Sequence, residues 1–360
     1  MSLVAWVYLV AARGWFWLVR DESEARSPAP ARRVAAVIPA RDEAPSIGRA
    51  VGSLVSQRGV GPVRVFVVDD HSSDGTGLLA AAAGAEVIRA QPLPAGWTGK
   101  MWAVSQGLAA ALATRPDYVL LTDADIEHDA GSVAALVARA ERDGLDLASL
   151  MVRLENRTFA ERALIPAFVY FFLKLYPPRW IAGRGATAGA AGGCMLARVS
   201  ALDRIGGVSR IRDRIIDDCA LAAEVKRSGG CLWLGLTSRT RSLRSYSGFG
   251  EVADMIARTA FTQLGHSTAL LVGTVLGMSL IYLGPPVTAL LGSRLGAAAW
   301  LLMALSYLPM LRLYRQSPLW APFLPLVAAF YTWATVLSAV RYWSGRGGAW
   351  KGRLQDSVRP

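Results

Sequence analysis

The chain has 360 residues, 53% of them hydrophobic, and carries 39 lysines and arginines against 27 acidic residues for a formal net charge of +12. That length allows one large domain or two ordinary ones. Three cysteines, Cys194, Cys219 and Cys231, offer neither a paired disulfide framework nor a Cys-x-x-Cys spacing, and three histidines disfavour a histidine-based metal centre. No zinc-finger or RNA-binding signature accompanies the basic excess. The apolar residues collect at the start and after Thr268, so lipid explains the charge better than nucleic acid.

In chain order, residues 3–12 are apolar but short for a bilayer span, which needs roughly 20 residues. Trp15, Phe16 and Trp17 behind them suit a membrane interface. Residues 1–19 read as a membrane anchor, which a start upstream of Met1 would lengthen. A cleaved signal peptide would want a positive start and a small-residue cleavage site, and neither is clear. Residues 20–33, with Pro28 and Pro30, read as a linker.

The next hundred residues alternate strand and helix. Strands are expected at 34–39, 63–69, 85–90, 118–121 and 147–152, with helices at 45–57, 75–83, 101–114 and 130–142. This pattern predicts an α/β domain with a mainly parallel sheet and helices on both faces. Three strands end in acidic sequences: Pro39-Ala40-Arg41-Asp42-Glu43, Asp69-Asp70-His71-Ser72-Ser73-Asp74-Gly75 and Asp123-Ala124-Asp125. In open α/β sheets ligands bind at that edge. On an extended chain Asp123 and Asp125 would face one point. Two neighbouring carboxylates repel unless a cation or a proton relieves them, and a divalent cation commonly bridges carboxylates to phosphates. Asp-rich turns alone would explain one such segment, and Asp69 and Asp74 fit that plainer role. No Gly-x-Gly-x-x-Gly follows the first strand and no Walker A loop is present, which disfavours dinucleotide and P-loop chemistry.

The run Val37-Ile38-Pro39-Ala40-Arg41-Asp42-Glu43, then Val67-Val68-Asp69-Asp70-His71-Ser72-Ser73-Asp74-Gly75-Thr76, then Asp123-Ala124-Asp125, resembles the inverting family 2 glycosyltransferases of the GT-A fold. Gly99-Lys100, Gly192-Gly193-Cys194-Met195-Leu196 and Ile216-Asp217-Asp218-Cys219-Ala220-Leu221 extend the resemblance over about residues 34–265. Gly96-Trp97-Thr98-Gly99-Lys100, residues 258–264 and the C-terminal apolar block resemble more narrowly the hopanoid-biosynthesis-associated glycosyltransferases.

The resemblance implies roles. Asp70 would bind the nucleotide base, with Pro39 and Glu43 lining its pocket. Asp123 would sit by ribose and diphosphate, Lys100 near the phosphates, and Asp125 on Mg²⁺ or Mn²⁺. Gly192 and Gly193 would lie on the acceptor side. Asp218 would be the catalytic base, with Asp217 its rival one residue away. Processive members carry Gln-x-x-Arg-Trp after the base. Here Arg258 and Gln263 stand without an Arg-Trp pair, which argues against polymer synthesis and leaves Arg258 as the candidate diphosphate arginine.

Residues 163–176 are apolar and aromatic and fit an interfacial helix or a buried one equally. Three apolar blocks follow, at 268–291, 295–311 and 320–340, each near spanning length, with Pro285-Pro286 a plausible break. The expected organisation is an anchor at 1–19, a linker at 20–33, a GT-A domain at 34–265, transmembrane helices at 266–343 and a basic tail at 344–360. The expected activity is transfer of one sugar from a nucleotide sugar, UDP-linked for preference, to a lipid hydroxyl such as a hopanoid's. The catalytic domain would face the cytoplasm at a bacterial-type cytoplasmic membrane. A polyprenyl-phosphate sugar transferase and a non-catalytic membrane scaffold are the rival readings.

Overall fold

The computed structural model describes residues 2–22 and 31–348. Most of the expected linker (23–30) and the end of the basic tail (349–360) lie outside them. The chain forms two compact units. One holds residues 21–154 and 180–244, the other residues 1–20, 155–179 and 245–360. The sequence-based GT-A span of 34–265 therefore differs from the observed division. Residues 155–179 and 245–265 contain helices that pack with the C-terminal helices.

The sheet unit contains β1 (Val34–Ala40), β2 (Arg64–Asp69), β3 (Glu86–Arg89), β4 (Tyr118–Thr122), β5 (Ile126–Glu127), β6 (Leu147–Arg153), β7 (Cys194–Arg198) and β8 (Leu232–Ser242), in spatial order β3-β2-β1-β4-β7-β6-β8-β5. β3, β2, β1 and β4 run parallel, as do β6 and β8. β7 lies antiparallel between β4 and β6, and β5 antiparallel on β8. All seven residues of β1 and all five of β4 are buried, as expected of strands covered on both faces. The helix Ala44–Val55 turns Ile47, Ala50, Val51 and Leu54 to the sheet at helical spacing. The helix Gly99–Ala113 comes closer still. A Cβ on Gly107 would stand 2.5 Å from Val37 Cγ1 and 2.9 Å from Val68 Cγ2, so glycine sets the distance between helix and sheet.

The five expected strands are present within two residues of their predicted ends. β5, β7 and β8 were not anticipated. One local expectation is corrected. β4 stops at Thr122, and Asp123–Asp125 form a turn rather than an extended strand end. The two carboxylates are neighbours because the chain turns there on its way into β5, not because alternate residues of a strand share a face.

In the helical unit, Thr268–Leu290, Arg294–Leu313 and Pro318–Trp343 are long and apolar enough to cross a membrane. The helix Phe159–Leu175 starts with a reciprocal cap between Thr158 and Glu161 and buries eleven of its seventeen residues, so its apolar run is a core element of this unit. Pro285-Pro286 do not break the first span. Residues Ser279–Leu283 form one π turn, and the prolines open the next helical turn, where their missing N–H groups cost little. The short helix Ser2–Ala11 supports this turn. Ser2 Oγ donates to the Leu280 carbonyl (3.0 Å) and Trp6 Nε1 to the Ile281 carbonyl (2.8 Å).

Candidate active site

One half of the candidate site, where the resemblance puts the nucleotide sugar, is built from the ends of parallel strands. After β1 the chain turns through Arg41 and Asp42 to Glu43, whose backbone N–H donates to Thr76 Oγ1 at 2.8 Å. After β2, Asp70 is 3% exposed. Its N–H donates to the Ala40 carbonyl (2.8 Å), and Arg41 Nη1 donates to its carbonyl at 2.8 Å and lies 3.7 Å from its carboxylate. Asp69 and Asp74 do what turn residues do. Asp69 accepts from the Ser72 N–H, and Asp74 from the N–H groups of Ala44 and Thr76.

Asp123 and Asp125 flank the turn after β4. Asp125 accepts from Ser242 Oγ (3.4 Å), and its backbone carbonyl accepts from the Leu243 N–H at 2.7 Å. Burial pushes the Asp125 carboxyl up to about 6. The charges of Asp123 and Glu43 push the same way, against the pull of Arg244. Asp123 and Glu43 thus both act against the charge of Asp125.

Lys100 joins the two halves of the site. The Thr98 hydroxyl caps its helix by accepting from the Met101 N–H. Lys100 Nζ lies 3.0 Å from Asp123 and 3.1 Å from Asp217. Burial disfavours the ammonium, but the two carboxylates outweigh it and hold Lys100 charged well above its ordinary range. Pro39, Lys100, Asp123, Gly192 and Asp217 line one small recess.

The acceptor-side candidates sit on β7 and the helix Asp217–Arg227. Asp218, in the first turn of that helix, accepts from the Gly192 N–H (2.9 Å) and the Cys219 N–H (2.7 Å). Burial first, and then the charge of Asp217, push its carboxyl up to about 6, with Lys100 and the two N–H groups opposing. Asp217 is the ion-paired carboxylate and Asp218 the one held by backbone. A Cβ on Gly192 would stand 3.3 Å from Asp218 Oδ2, so a side chain there would crowd the carboxylate.

Several residues that sequence reasoning did not single out hold this half in place. Thr122 Oγ1 donates to the Gly193 carbonyl (2.7 Å) and lies 3.0 Å from His128 Nε2. With the Thr122 proton committed, His128 must donate through Nε2. It is buried and neutral, its pKa pushed down to about 4 by desolvation. Ser149 Oγ accepts from the Ala191 N–H at 2.8 Å. Lys226 Nζ donates to the carbonyls of Trp180, Ile181 and Thr187, clamping the segment that leads into Gly192. Arg41 and Arg244 were also missed. Arg41 stood inside a recognised motif, whereas Arg244, His128 and Lys226 follow no local pattern that would mark them. Arg258 lies in the helical unit, at the end of the helix Phe249–Ala257.

No group of three or more His, Cys, Asp or Glu side chains stands poised to enclose a metal among the described residues. Mg²⁺ and Mn²⁺ bound with a nucleotide need no such cage, since one or two carboxylates, waters and phosphate oxygens suffice. A buried Asp125 raised by its acidic neighbours fits an ion of that kind.

A mainly parallel sheet with carboxylates at its strand ends and a buried carboxylate on a separate helix is an architecture of the GT-A type. Residues 35–206 match the family model described as glycosyl transferase family 2, so that segment is a domain of this kind. Asp217 and Asp218 lie beyond the matched segment. Among solved structures, the mannosyltransferase PcManGT from Pyrobaculum calidifontis, in complex with GDP-Man and Mn²⁺, is similar at 18% identity. That likeness covers 94% of this chain and 99% of that one with a TM-score of 0.58, and at this identity it speaks to fold. Glucosyl-3-phosphoglycerate synthase from Mycobacterium tuberculosis, with Mn²⁺, UDP and phosphoglyceric acid, matches at 19% identity over 65% of this chain and 78% of that one, TM-score 0.43. No curated protein matches the chain.

Proposed function

We propose that the protein is a membrane-bound, metal-dependent inverting glycosyltransferase that moves one sugar from a nucleotide sugar to the hydroxyl of a lipid, with a hopanoid as the first acceptor to try. The observation that carries this reading is the pairing of a carboxylate-rich donor side, with Lys100 in it, and a separate buried, backbone-held carboxylate, Asp218, next to Gly192 of the recess that Lys100 also lines.

Asp70 and Glu43 would meet the nucleoside, and Lys100 the phosphates. Asp125, with Asp123 beside it, would hold Mg²⁺ or Mn²⁺, whose chemistry is to neutralise the charge growing on the diphosphate as it leaves. Asp218 would take the proton of the acceptor hydroxyl as its oxygen bonds to the anomeric carbon. The bond from that carbon to the phosphate oxygen breaks, and the nucleoside diphosphate departs with the electron pair. One displacement with one base inverts the anomeric centre. Three apolar helices of spanning length support a membrane location. Synthesis of nucleotide sugars in the cytoplasm supports placing the sheet unit on that side.

The test is to incubate the purified full chain with GDP- and UDP-sugars, Mn²⁺ and lipid extracted from the host. The expected result is a glycosylated neutral lipid of inverted anomeric configuration, lost in excess EDTA and regained with Mn²⁺. Transfer only to a lipid phosphate, with Asp218 dispensable, would instead identify a polyprenyl-phosphate sugar transferase, whose acceptor needs no base.

A further inference from the structure

Lys226 stands in the last turn of the helix Asp217–Arg227, where a lysine ordinarily serves the carbonyls of its own helix. Its ammonium goes elsewhere. Nζ donates to the carbonyls of Trp180 (3.2 Å), Ile181 (2.6 Å) and Thr187 (2.7 Å). A lysine has three N–H donors, so none is left for a carboxylate. The three carbonyls stand on either side of residues 183–186, an exposed stretch with Gly183 and Gly185 that is neither helix nor strand. One charged group therefore closes this loop, and hydrogen bonds from a charged donor are the strong ones.

The first turn of the same helix fastens the same segment further on. Asp218 accepts from the Gly192 N–H (2.9 Å), and Cys219 Sγ donates to the Ala190 carbonyl (3.7 Å). Helix and segment are thus joined at two places roughly 12 Å apart along the helix. A joint at Gly192 alone would let the segment pivot about Asp218. The second joint, at Lys226, fixes the direction from which the Gly192 N–H meets the carboxylate. That N–H favours the ionised form of Asp218, with the Cys219 N–H and the charge of Lys100 on the helix Gly99–Ala113. Burial and the charge of Asp217 oppose it.

We propose that Lys226 is a positioning residue for Asp218: it buckles residues 180–187 so that the Gly192 N–H stays on the carboxylate. The proposal rests on the reading of Asp218 as the base and adds what holds that base in place. Removing the ammonium should slow transfer and move the titration of the base, and it should leave the donor side as it is.

The experiment compares the full-length parent with Lys226→Met, Lys226→Gln, Lys226→Arg and Asp218→Asn. Transfer is measured with GDP- and UDP-sugars and extracted host lipid, and binding with GDP and UDP in Mn²⁺. Lys226→Met should lower kcat per nucleotide-binding site about tenfold or more, with nucleotide binding within about twofold of the parent. Its acidic limb of kcat/KM should move up by about half a pH unit or more, because Asp218 loses a donor that favours its charge. Hydrogen exchange in the peptide that contains residues 183–193 should quicken. Lys226→Gln, uncharged but still a donor, should fall between Met and the parent. Lys226→Arg should recover at least half of the loss in kcat. An unmoved acidic limb and an unchanged kcat in every uncharged variant that binds nucleotide, beside an inactive Asp218→Asn, would overturn the positioning role and leave the base in place. An active Asp218→Asn would overturn the base reading, and the role of Lys226 with it.

Discussion

The two sides of the candidate site, proposed above to take the sugar donor and the acceptor, are built by different means. On the donor side, Glu43, Asp70, Asp123 and Asp125 stand in loops that follow parallel strands, and their carboxylates crowd one another or meet arginine and lysine. On the acceptor side, Asp218 is held by two backbone N–H groups, and the chain around Gly192 is fixed by Ser149, Thr122, His128 and Lys226. The first arrangement stores repulsion that a cation and a diphosphate can relieve. The second fixes a single carboxylate in one position, as a base that must meet a hydroxyl requires. Substitutions on the two sides should therefore fail differently, one in binding and the other in chemistry.

The largest expected effect is on the donor side. Asp125→Ala should abolish transfer. Because Asp123 and Glu43 would remain without their buried partner, Mn²⁺-dependent nucleotide binding should weaken at least tenfold by titration calorimetry. Undiminished binding would place the ion elsewhere. On the acceptor side, Gly192→Ala should lower kcat about tenfold or more with donor binding nearly unchanged, since the new Cβ would press on Asp218. A loss confined to donor KM would contradict the division drawn here. Smaller still is the pH effect. Asp218 must be ionised to act, and its carboxyl is pushed up to about 6. Then kcat/KM should fall about tenfold per pH unit below that value and be level above it, and a profile flat down to pH 4.5 would argue for another base.

The subtlest expectation concerns stability rather than rate. His128 is held neutral with its pKa near 4, below its ordinary value of 6.5. The unfolded chain binds the proton first as pH falls. Stability is therefore fully present above about 6.5 and is lost as pH drops toward 4, by up to about 3 kcal/mol. His128→Gln should flatten that dependence in denaturant titrations. An equally steep loss in the variant would trace the acid sensitivity to other groups.

The donor side was largely legible in the sequence because parallel strands and their acidic ends are local patterns. β1, β2 and β4 announce themselves as apolar runs, and Glu43, Asp70 and Asp123 follow them within three residues. Even there the reason given for the proximity of Asp123 and Asp125 was incorrect, since a turn rather than an extended chain brings them together. The acceptor side was legible only at Asp218 and the paired glycines, through a motif. β7 was hidden because four consecutive buried residues after two glycines show no alternation. His128 and Lys226 were hidden because their partners, Thr122 and the carbonyls of residues 180–187, come together only through tertiary contacts. In the helical unit, the hydropathy of the three spans was plain. The ring contacts that link Phe159, Phe249, Trp320 and Phe330 were not, because these residues lie far apart in the chain.

The central claim, that Asp218 is the base and Asp217 the partner of Lys100, is tested most directly by comparing Asp218→Asn and Asp217→Asn in donor titration and in single-turnover transfer. Asp218→Asn should bind nucleotide sugar nearly as well as the parent and transfer about 10²- to 10⁴-fold more slowly, the usual worth of a general base. Asp217→Asn should be the milder lesion, weakening donor binding as Lys100 loses one of its two carboxylates. A dead Asp217→Asn beside an active Asp218→Asn would contradict the assignment, and normal transfer by both would contradict the hydroxyl-acceptor mechanism itself.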